Sequence, residues 1–293
     1  MLRSPVDVEV RDAYLRRLGL DAEPPSVEAL QRLQRRHVER VPYETLWIHA
    51  DERWDIDPST SAARIALQGR GGYCYHLNGA LGVLLSWLGY AVRSHPGGVR
   101  ADGLPESRSM GNHLVLTVSA LPTEANPSGT WHVDAGLGDA LHEPLPLVPG
   151  AYVQAPFRLA LDRLPGESRG WLLTHDPAGG FRNMRWNMVD ARLGDFAAQH
   201  RWLSTSPESG FVRVAMAERR DATGVDVMRG LVLTRLGEHA TTSEPLTRRD
   251  EWFAALADVF DLRFDCSAPD ALDALWNRVR RGHEQWQEEG SGG

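Results

Sequence analysis

The chain has 293 residues, 42% of them apolar and 24% charged, with 32 basic against 39 acidic residues and a net charge of −7. That balance is typical of a globular protein facing water, and it excludes the basic stripe that releases counterions from nucleic acid. Every basic residue is arginine and no lysine is present, which excludes Schiff-base aldolases, pyridoxal-phosphate enzymes, Walker-A nucleotidases and kinases built on a strand lysine.

The opening MLRSPVDVEVRDAYL turns acidic before an apolar core can form, so neither a signal peptide nor a membrane anchor is expected. Residues 6–88 read as helical. Tyr14, Leu15 and Leu18 mark one apolar stripe, and Val27, Leu30, Leu33 and Val38 mark another after a Ser26 cap signal. The clearest helix starts near Cys74, with Leu77, Leu81, Leu84, Leu85 and Leu88 at helical spacing and Gly89 as a stop. Its apolar run is too short to span a bilayer. From 91 to 189 the texture changes to strands broken by Gly, Pro and Asn clusters, as in NHLVLTVSA, WHVDAG and GWLLTHD, predicting an antiparallel sheet or barrel. A helical piece is expected at 195–202, strands at 211–217 and 230–236, helices at 250–260 and 269–281, and a disordered tail EEGSGG. The Arg35-Arg36 and Arg280-Arg281 pairs read as solvated helix faces. Cys74 and Cys266 lie far apart and form no metal-type pair, so a reduced, cytoplasmic setting is expected. The fold class is α+β in three segments: a helical bundle at 1–90, an antiparallel β-barrel at 91–205 and an α/β lid at 206–293.

Arg70-Gly71-Gly72-Tyr73-Cys74 stands immediately before the leucine-patterned helix. Two glycines permit a tight turn and set Cys74 on the first helical turn, where unpaired amides and the positive end of the macrodipole favour a thiolate. Cys74 is therefore a candidate nucleophile, or else a small buried residue like most single cysteines. A thiol nucleophile needs a base, and the base needs an orienting group. His113 opens the strand NHLVLTV, and Asp134 sits in WHVDAG on what reads as the next strand. Neighbouring antiparallel strands can set two such side chains together. His132 shares a face with Asp134 and is the rival base, whereas His76, two residues after Cys74, projects about 200° away around the helix. His37, His49, His200 and His239 read as capping, packing or solvent-facing. Gly136-Leu137-Gly138-Asp139-Ala140-Leu141 begins like a dinucleotide fingerprint but has Leu141 for its third glycine and PLPLVPG where a helix is required. His132, Asp134, His142 and Glu143 lack any metal-type spacing, so no metal site is expected.

Arg70-Gly71-Gly72-Tyr73-Cys74 with Asn78, then His113-Leu114, then the block from Val133 to Gly138 and Pro144-Leu145-Pro146-Leu147, resembles the signature blocks of the arylamine N-acetyltransferases. Val41-Pro42-Tyr43-Glu44, the stretch SerThrSerProGluSerGlyPhe ending at Phe211, and residues 256–264 resemble further blocks in the same order. The resemblance implies the three-part fold with a cysteine-protease-like core and a Cys74, His113, Asp134 triad. It also implies ping-pong transfer: Cys74 takes an acyl group from acetyl-coenzyme A as co-substrate and passes it to an amine nitrogen, with no tightly bound cofactor. By the same resemblance Glu44 and Arg70 form an ion pair bracing the Cys74 loop, Asn78 supports the triad, Gly136 and Gly138 lie beside the acyl group, and Tyr43, Leu137 and Phe211 line the acceptor pocket. The family usually carries an acidic or amide residue at His76, Asn at Thr45, and Phe at Tyr43 and Leu137, which implies a less aromatic pocket here. The implied partners are a coenzyme A thioester and a small arylamine or hydrazine, with neither nucleic acid nor membrane. An amide synthase fed by an acyl-carrier protein, a cysteine hydrolase with the same triad, and a catalytically silent binding module are the competing readings.

Overall fold

The computed structural model describes residues 5–100, 110–167, 169–264 and 268–290, without the side chains of 289 and 290; Cys266 and the last three residues of the tail lie outside them. The helical segment runs α1 Pro5–Leu18, α2 Val27–Arg40, β1 Tyr43–Glu44, α3 Leu46–His49, α4 Pro58–Gln68 and α5 Cys74–Trp87. Ser26 caps α2 by accepting from the Ala29 amide at 3.0 Å, and Leu30, Leu33 and Val38 bury its stripe. In α4, Asp57 caps the amide of Thr60 while Pro58 fills the first turn, where a missing N–H costs nothing. The helix expected from Cys74 is α5; Leu77, Leu81, Leu84 and Leu85 are all fully buried, because this helix is covered on several sides rather than on one stripe.

The second segment is one antiparallel sheet of eight strands: β2 Ala91–Arg100, β3 Met110–Ser119, β4 Trp131–Val133, β5 Leu145–Pro146, β6 Gly150–Gln154, β7 Phe157–Arg163, β8 Gly170–Thr174 and β9 Asn183–Asn187. Their order is β5-β4-β3-β2-β9-β8-β7-β6, and α5 packs across β2 and β3. The sheet curls but does not close as the expected barrel would, since β5 and β6 remain its two ends. The would-be closing strand β5 is two residues long and ends in Pro146, which offers no amide to a ladder.

A short 3-10 turn Leu193–Phe196 leads into α6 Ala197–Thr205 and α7 Gly210–Arg213, followed by β10 Met216–Arg220, β11 Gly224–Arg229, β12 Val232–Gly237, β13 Thr241–Pro245, α8 Arg249–Phe260 and α9 Pro269–Gly290. Phe211, expected on a strand, lies in α7, because Ser209 accepts from its amide and starts a helical turn. The tail expected to be disordered is helical as far as Gly290. The five strands of this part order as β1-β10-β11-β12-β13, with Tyr43 opposite Glu218 and Glu44 opposite Ala217. The N-terminal segment thus lends an edge strand to the C-terminal sheet, and three apolar clusters meet around that junction. Among the described residues no helix is long and apolar enough to cross a membrane.

Candidate active site

Cys74 occupies the first position of α5 and is 4% exposed. The turn before it is packed too tightly for side chains. A Cβ on Gly71 would overlap the Pro42 carbonyl oxygen, and Gly72 takes φ 140°, where a Cβ would lie 2.6 Å from that of His76. The Cys74 thiol points at the Asn112 carbonyl, 3.6 Å away on β3, and the next side chain on that strand, His113, lies close enough for the sulfur to raise its pKa. Nε2 of His113 donates to Oδ2 of Asp134 at 2.7 Å, which leaves Nδ1 for the sulfur.

Sheet register explains how Asp134 reaches His113. Strands β3 and β4 pair Leu116 with Val133, so the next in-register pair of the same parity would be Leu114 and Ala135. Instead of bonding to each other, both bond to the carboxamide of Asn78: Nδ2 donates to the Leu114 carbonyl at 2.7 Å, and Oδ1 accepts from the Ala135 amide at 2.8 Å. Asn78, one helical turn after Cys74 on the same face of α5, therefore sits where the ladder parts. Its Nδ2 also reaches Oδ1 of Asp134 at 2.8 Å, and the Gly136 amide donates to that same oxygen at 2.8 Å.

The electrostatics follow from this geometry. Burial by itself would lower the pKa of His113, but the Asp134 carboxylate and the Cys74 sulfur outweigh it and raise it to about 10. Burial opposes ionisation of Asp134 too, yet His113 and Asn78 hold its carboxyl below the ordinary carboxylate range. The rival His132 stacks on Trp186 at 4.8 Å and stands 3.8 Å from Asp134; burial lowers its pKa to about 4, so it is neutral. His76 turns away from the sulfur into the rings of Trp47, Trp54, Tyr73 and His200, and accepts a bond from the Tyr73 amide. Burial, with Arg64 beside it, pushes its pKa well down.

Glu44 is fully buried and takes Nε of Arg70 at 3.0 Å, while Arg70 also holds Glu52 at 3.1 Å. The second oxygen of Glu44 accepts from the Leu46 amide at 2.9 Å. The Glu44 amide in turn donates to the Gly72 carbonyl at 2.9 Å, tying this pair to the cysteine turn. The loop after β4 folds back onto α5: a Cβ on Gly136 would come within 2.6 Å of the Cys74 Cα, and Gly138, at φ 70°, leaves its Cβ space to the Glu218 carboxylate. Asp139 pins the far end of the loop, accepting from the Gly180 amide at 2.6 Å and meeting His175 at 3.2 Å. Tyr43 and Phe211 come together edge to face at 6.2 Å, and Tyr73 packs on Phe211 at 5.3 Å. Leu137, named with them for the acceptor pocket, packs with the half-barrel core. Burial, reinforced by the charge of Cys74, keeps the phenols of Tyr43, Tyr73 and Tyr75 protonated.

Three participants escaped the sequence reading: Gln34, whose Oε1 accepts from the Asp134 amide at 3.1 Å; Tyr73; and Glu218. His142 pairs with Glu39 at 2.9 Å, away from Asp134, and among the described residues no group of three or more His, Cys, Asp or Glu is placed to hold a metal ion.

A family profile described as N-acetyltransferase matches residues 26–268. The arylamine N-acetyltransferase of Mycolicibacterium smegmatis is 32% identical over 213 residues, covering 68% of this chain and 72% of that protein. Among solved structures, the arylamine N-acetyltransferase of Mycobacterium abscessus superposes with a TM-score of 0.79 at 23% identity, over 95% of this chain and 99% of that one. The Mycobacterium marinum enzyme in complex with CoA gives 0.80 at 24% identity, over 92% and 98%; at these identities both speak for the fold. With the profile spanning most of its length and a relative at this identity covered over two thirds, the chain belongs to the arylamine N-acetyltransferase family and is an acyltransferase.

Proposed function

We propose that this protein transfers an acetyl group from acetyl-coenzyme A to the nitrogen of an aryl amine by a ping-pong route through a thioester on Cys74. The observation that carries the reading is the continuous chain from the Cys74 sulfur through His113 to Asp134, with the carboxylate fixed by Asn78 and the Gly136 amide. In the first half-reaction the Cys74 thiolate attacks the thioester carbonyl while the His113 imidazolium, stabilised by Asp134, stands ready. A C–S bond forms, the C–S bond to coenzyme A breaks, and the departing thiolate leaves as the thiol with the proton from His113. In the second half-reaction the amine nitrogen attacks the enzyme thioester, neutral His113 takes the proton from nitrogen, and the amide leaves with the thiolate–imidazolium pair restored. The positive end of α5 lies under the reacting carbonyl in both steps.

The close ring contacts of Tyr43, Tyr73 and Phe211 support an aromatic acceptor, since offset and edge-to-face packing favours a further ring. Glu44 and Arg70 serve to brace the cysteine turn, and the proposed division of labour follows residues 1–90, 91–205 and 206–293. Incubation with acetyl-coenzyme A should add a single acetyl group at Cys74, which aniline then discharges as acetanilide. An unmodified Cys74 under reducing conditions defeats the proposal, and a label that water removes as fast as the amine does favours a hydrolase instead.

A further inference from the structure

Of the deeply placed carboxylates, Glu44, Asp134 and Asp139 are each met by donors. Glu218, which is only partly buried, is different: among the described residues its carboxyl has neither a hydrogen bond nor an ion pair, and the charges that act on it are Asp139, of like sign, and Arg229. Burial together with Asp139 pushes its pKa up to about 8. Its carboxyl is thus uncommitted within the protein and open to a group that comes from outside it.

Its location indicates what that is. Glu218 stands opposite Tyr43 in the β1–β10 pairing, so the two share one face of the sheet, while Glu44 and Ala217 occupy the other. That face looks toward α5 and the loop after β4, where the Glu218 carboxylate fills the space a Gly138 side chain would take. Two residues earlier in the same loop, Gly136 lies against the Cys74 backbone. Two residues span at most about 7 Å, so the loop meets the Cys74 backbone and the Glu218 carboxyl within one short step on either side of Leu137. The Tyr43 phenol feels the charges of both Cys74 and Glu218, and its ring meets that of Phe211 edge to face.

Building on the proposed acetyl transfer, we propose that Glu218 is a specificity residue that selects aryl amines carrying a cationic or N–H donor group on the side of the ring opposite the reacting nitrogen. The nucleophilic nitrogen sits at the Cys74 thioester, the ring lies beside Tyr43 and Phe211, and the distal donor reaches the carboxyl. Above about pH 8, where Glu218 is ionised, an acceptor with a distal carboxylate meets Glu218 and Asp139 as like charges.

The test uses three 4-substituted anilines: 4-aminobenzamidine (cationic), 4-methylaniline (neutral) and 4-aminobenzoate (anionic). They are compared at pH 9, where Glu218 is ionised, in the full-length protein and in Glu218→Gln and Glu218→Leu. Relative to the unsubstituted protein, the kcat/KM ratio of 4-aminobenzamidine to 4-methylaniline should fall by about tenfold or more in Glu218→Leu. It should fall less in Glu218→Gln, which still accepts a hydrogen bond, and 4-aminobenzoate should improve in both. The amount of acetyl-Cys74 formed from acetyl-coenzyme A reports in each variant that the protein is folded. Direct calorimetric binding of 4-aminobenzamidine to the unacylated protein, weakened about tenfold in Glu218→Leu, stands even if no acetyl group is transferred. Ratios and affinities that change by less than about twofold in variants that still acylate overturn the role of Glu218 alone, whereas failure of acylation in the unsubstituted protein overturns the acetyl transfer.

Discussion

Replacing Asn78 with alanine tests the idea that its carboxamide holds the β3–β4 ladder open around Cys74, His113 and Asp134. The side chain makes three buried bonds of 2.7 to 2.8 Å, to the Leu114 carbonyl, the Ala135 amide and the Asp134 carboxylate. Removing it strands two neutral backbone groups, each costing about 1–3 kcal/mol, and takes one charge-assisted bond of similar worth from Asp134. The strands can recover part of this by closing, because Ala135 and Leu114 stand opposite each other in the extended register and can bond directly. The net expectation is a loss of about 3 kcal/mol, which lowers the thermal midpoint by roughly 6–12 °C in a chain of this size. Closing the ladder also drags Asp134 off His113, so acetylation of Cys74 should slow by about a hundredfold or more, beyond what destabilisation alone explains. Thermal unfolding at several pH values and single-turnover acetylation by mass spectrometry measure the two effects. Asn78→Asp sharpens the comparison: it keeps an acceptor for the Ala135 amide but sets a second carboxylate against Asp134, so it should be slower still at neutral pH and recover partly on acidification. A midpoint within about 2 °C of the parent together with an unchanged acetylation rate in Asn78→Ala would refute the reasoning.

The His113–Asp134 bond makes stability depend on pH from both sides. Asp134, held below the carboxylate range, contributes above about pH 3.9 and loses its share on acidification, while His113, raised to about 10, contributes fully below the ordinary histidine value of about 6.5 and loses it as pH climbs through 10. The difference in thermal midpoint between the parent and Asp134→Asn should therefore be largest between about pH 4 and 6.5 and shrink toward pH 10; a flat difference contradicts this. Gly136→Ala forces a methyl against the Cys74 backbone and should cost about 1–3 kcal/mol of stability while acetylation falls much more steeply, as followed by urea unfolding and Cys74 labelling. Arg70→Met leaves Glu44 charged and buried and should cost about 3–5 kcal/mol, whereas Arg70→Met with Glu44→Gln should recover much of that in a double-mutant cycle. Because the sequence holds no lysine, prolonged exposure to acetyl-coenzyme A should label Cys74 and at most the N-terminal amine, and a stable side-chain label elsewhere on peptide mapping runs against that expectation.

Local signals carried the parts of the fold that depend on neighbours in sequence. The leucine spacing places α5 within a residue of its observed ends, and the Ser26 signal is the cap of α2. The strand texture from 91 onward becomes the eight-stranded sheet. Closure of that sheet was not legible, because it turns on whether two edge strands 4 residues apart or more can present amides to each other, and Pro146 at the end of β5 decides the matter locally. The strand pair β1–β10 was invisible for a related reason: a two-residue strand has no periodicity of its own, and its partner follows only after the whole half-barrel. The helical turn at Phe211 was decided by a single cap, Ser209, inside a segment whose residue types suit a strand equally well.

For the site, the residues named from the cysteine turn, the His strand and the Asp strand are the ones the structure brings together, and the residues missed are polar groups whose burial depends on partners far along the chain. Gln34 left a readable trace. It falls on the buried face of α2 with Leu30, Leu33 and Val38, and a polar side chain on an apolar stripe must find a partner, which here is the Asp134 amide. Glu218 left none, because Met216, Glu218 and Arg220 alternate with Ala217 and Arg219, and two charges on one strand face read as its solvated side. In the fold that face is pressed against the half-barrel instead. Arg220 is 1% exposed and spends its guanidinium on the carbonyls of Gln154 and Gly224, at 2.7 and 2.9 Å. One charge of the pair thus finds its bonds within the protein and locks the two sheets together. The other, two residues earlier on the same face and next to the cysteine loop, finds none, which is the arrangement expected where a strand serves as framework at one position and meets a ligand at the next.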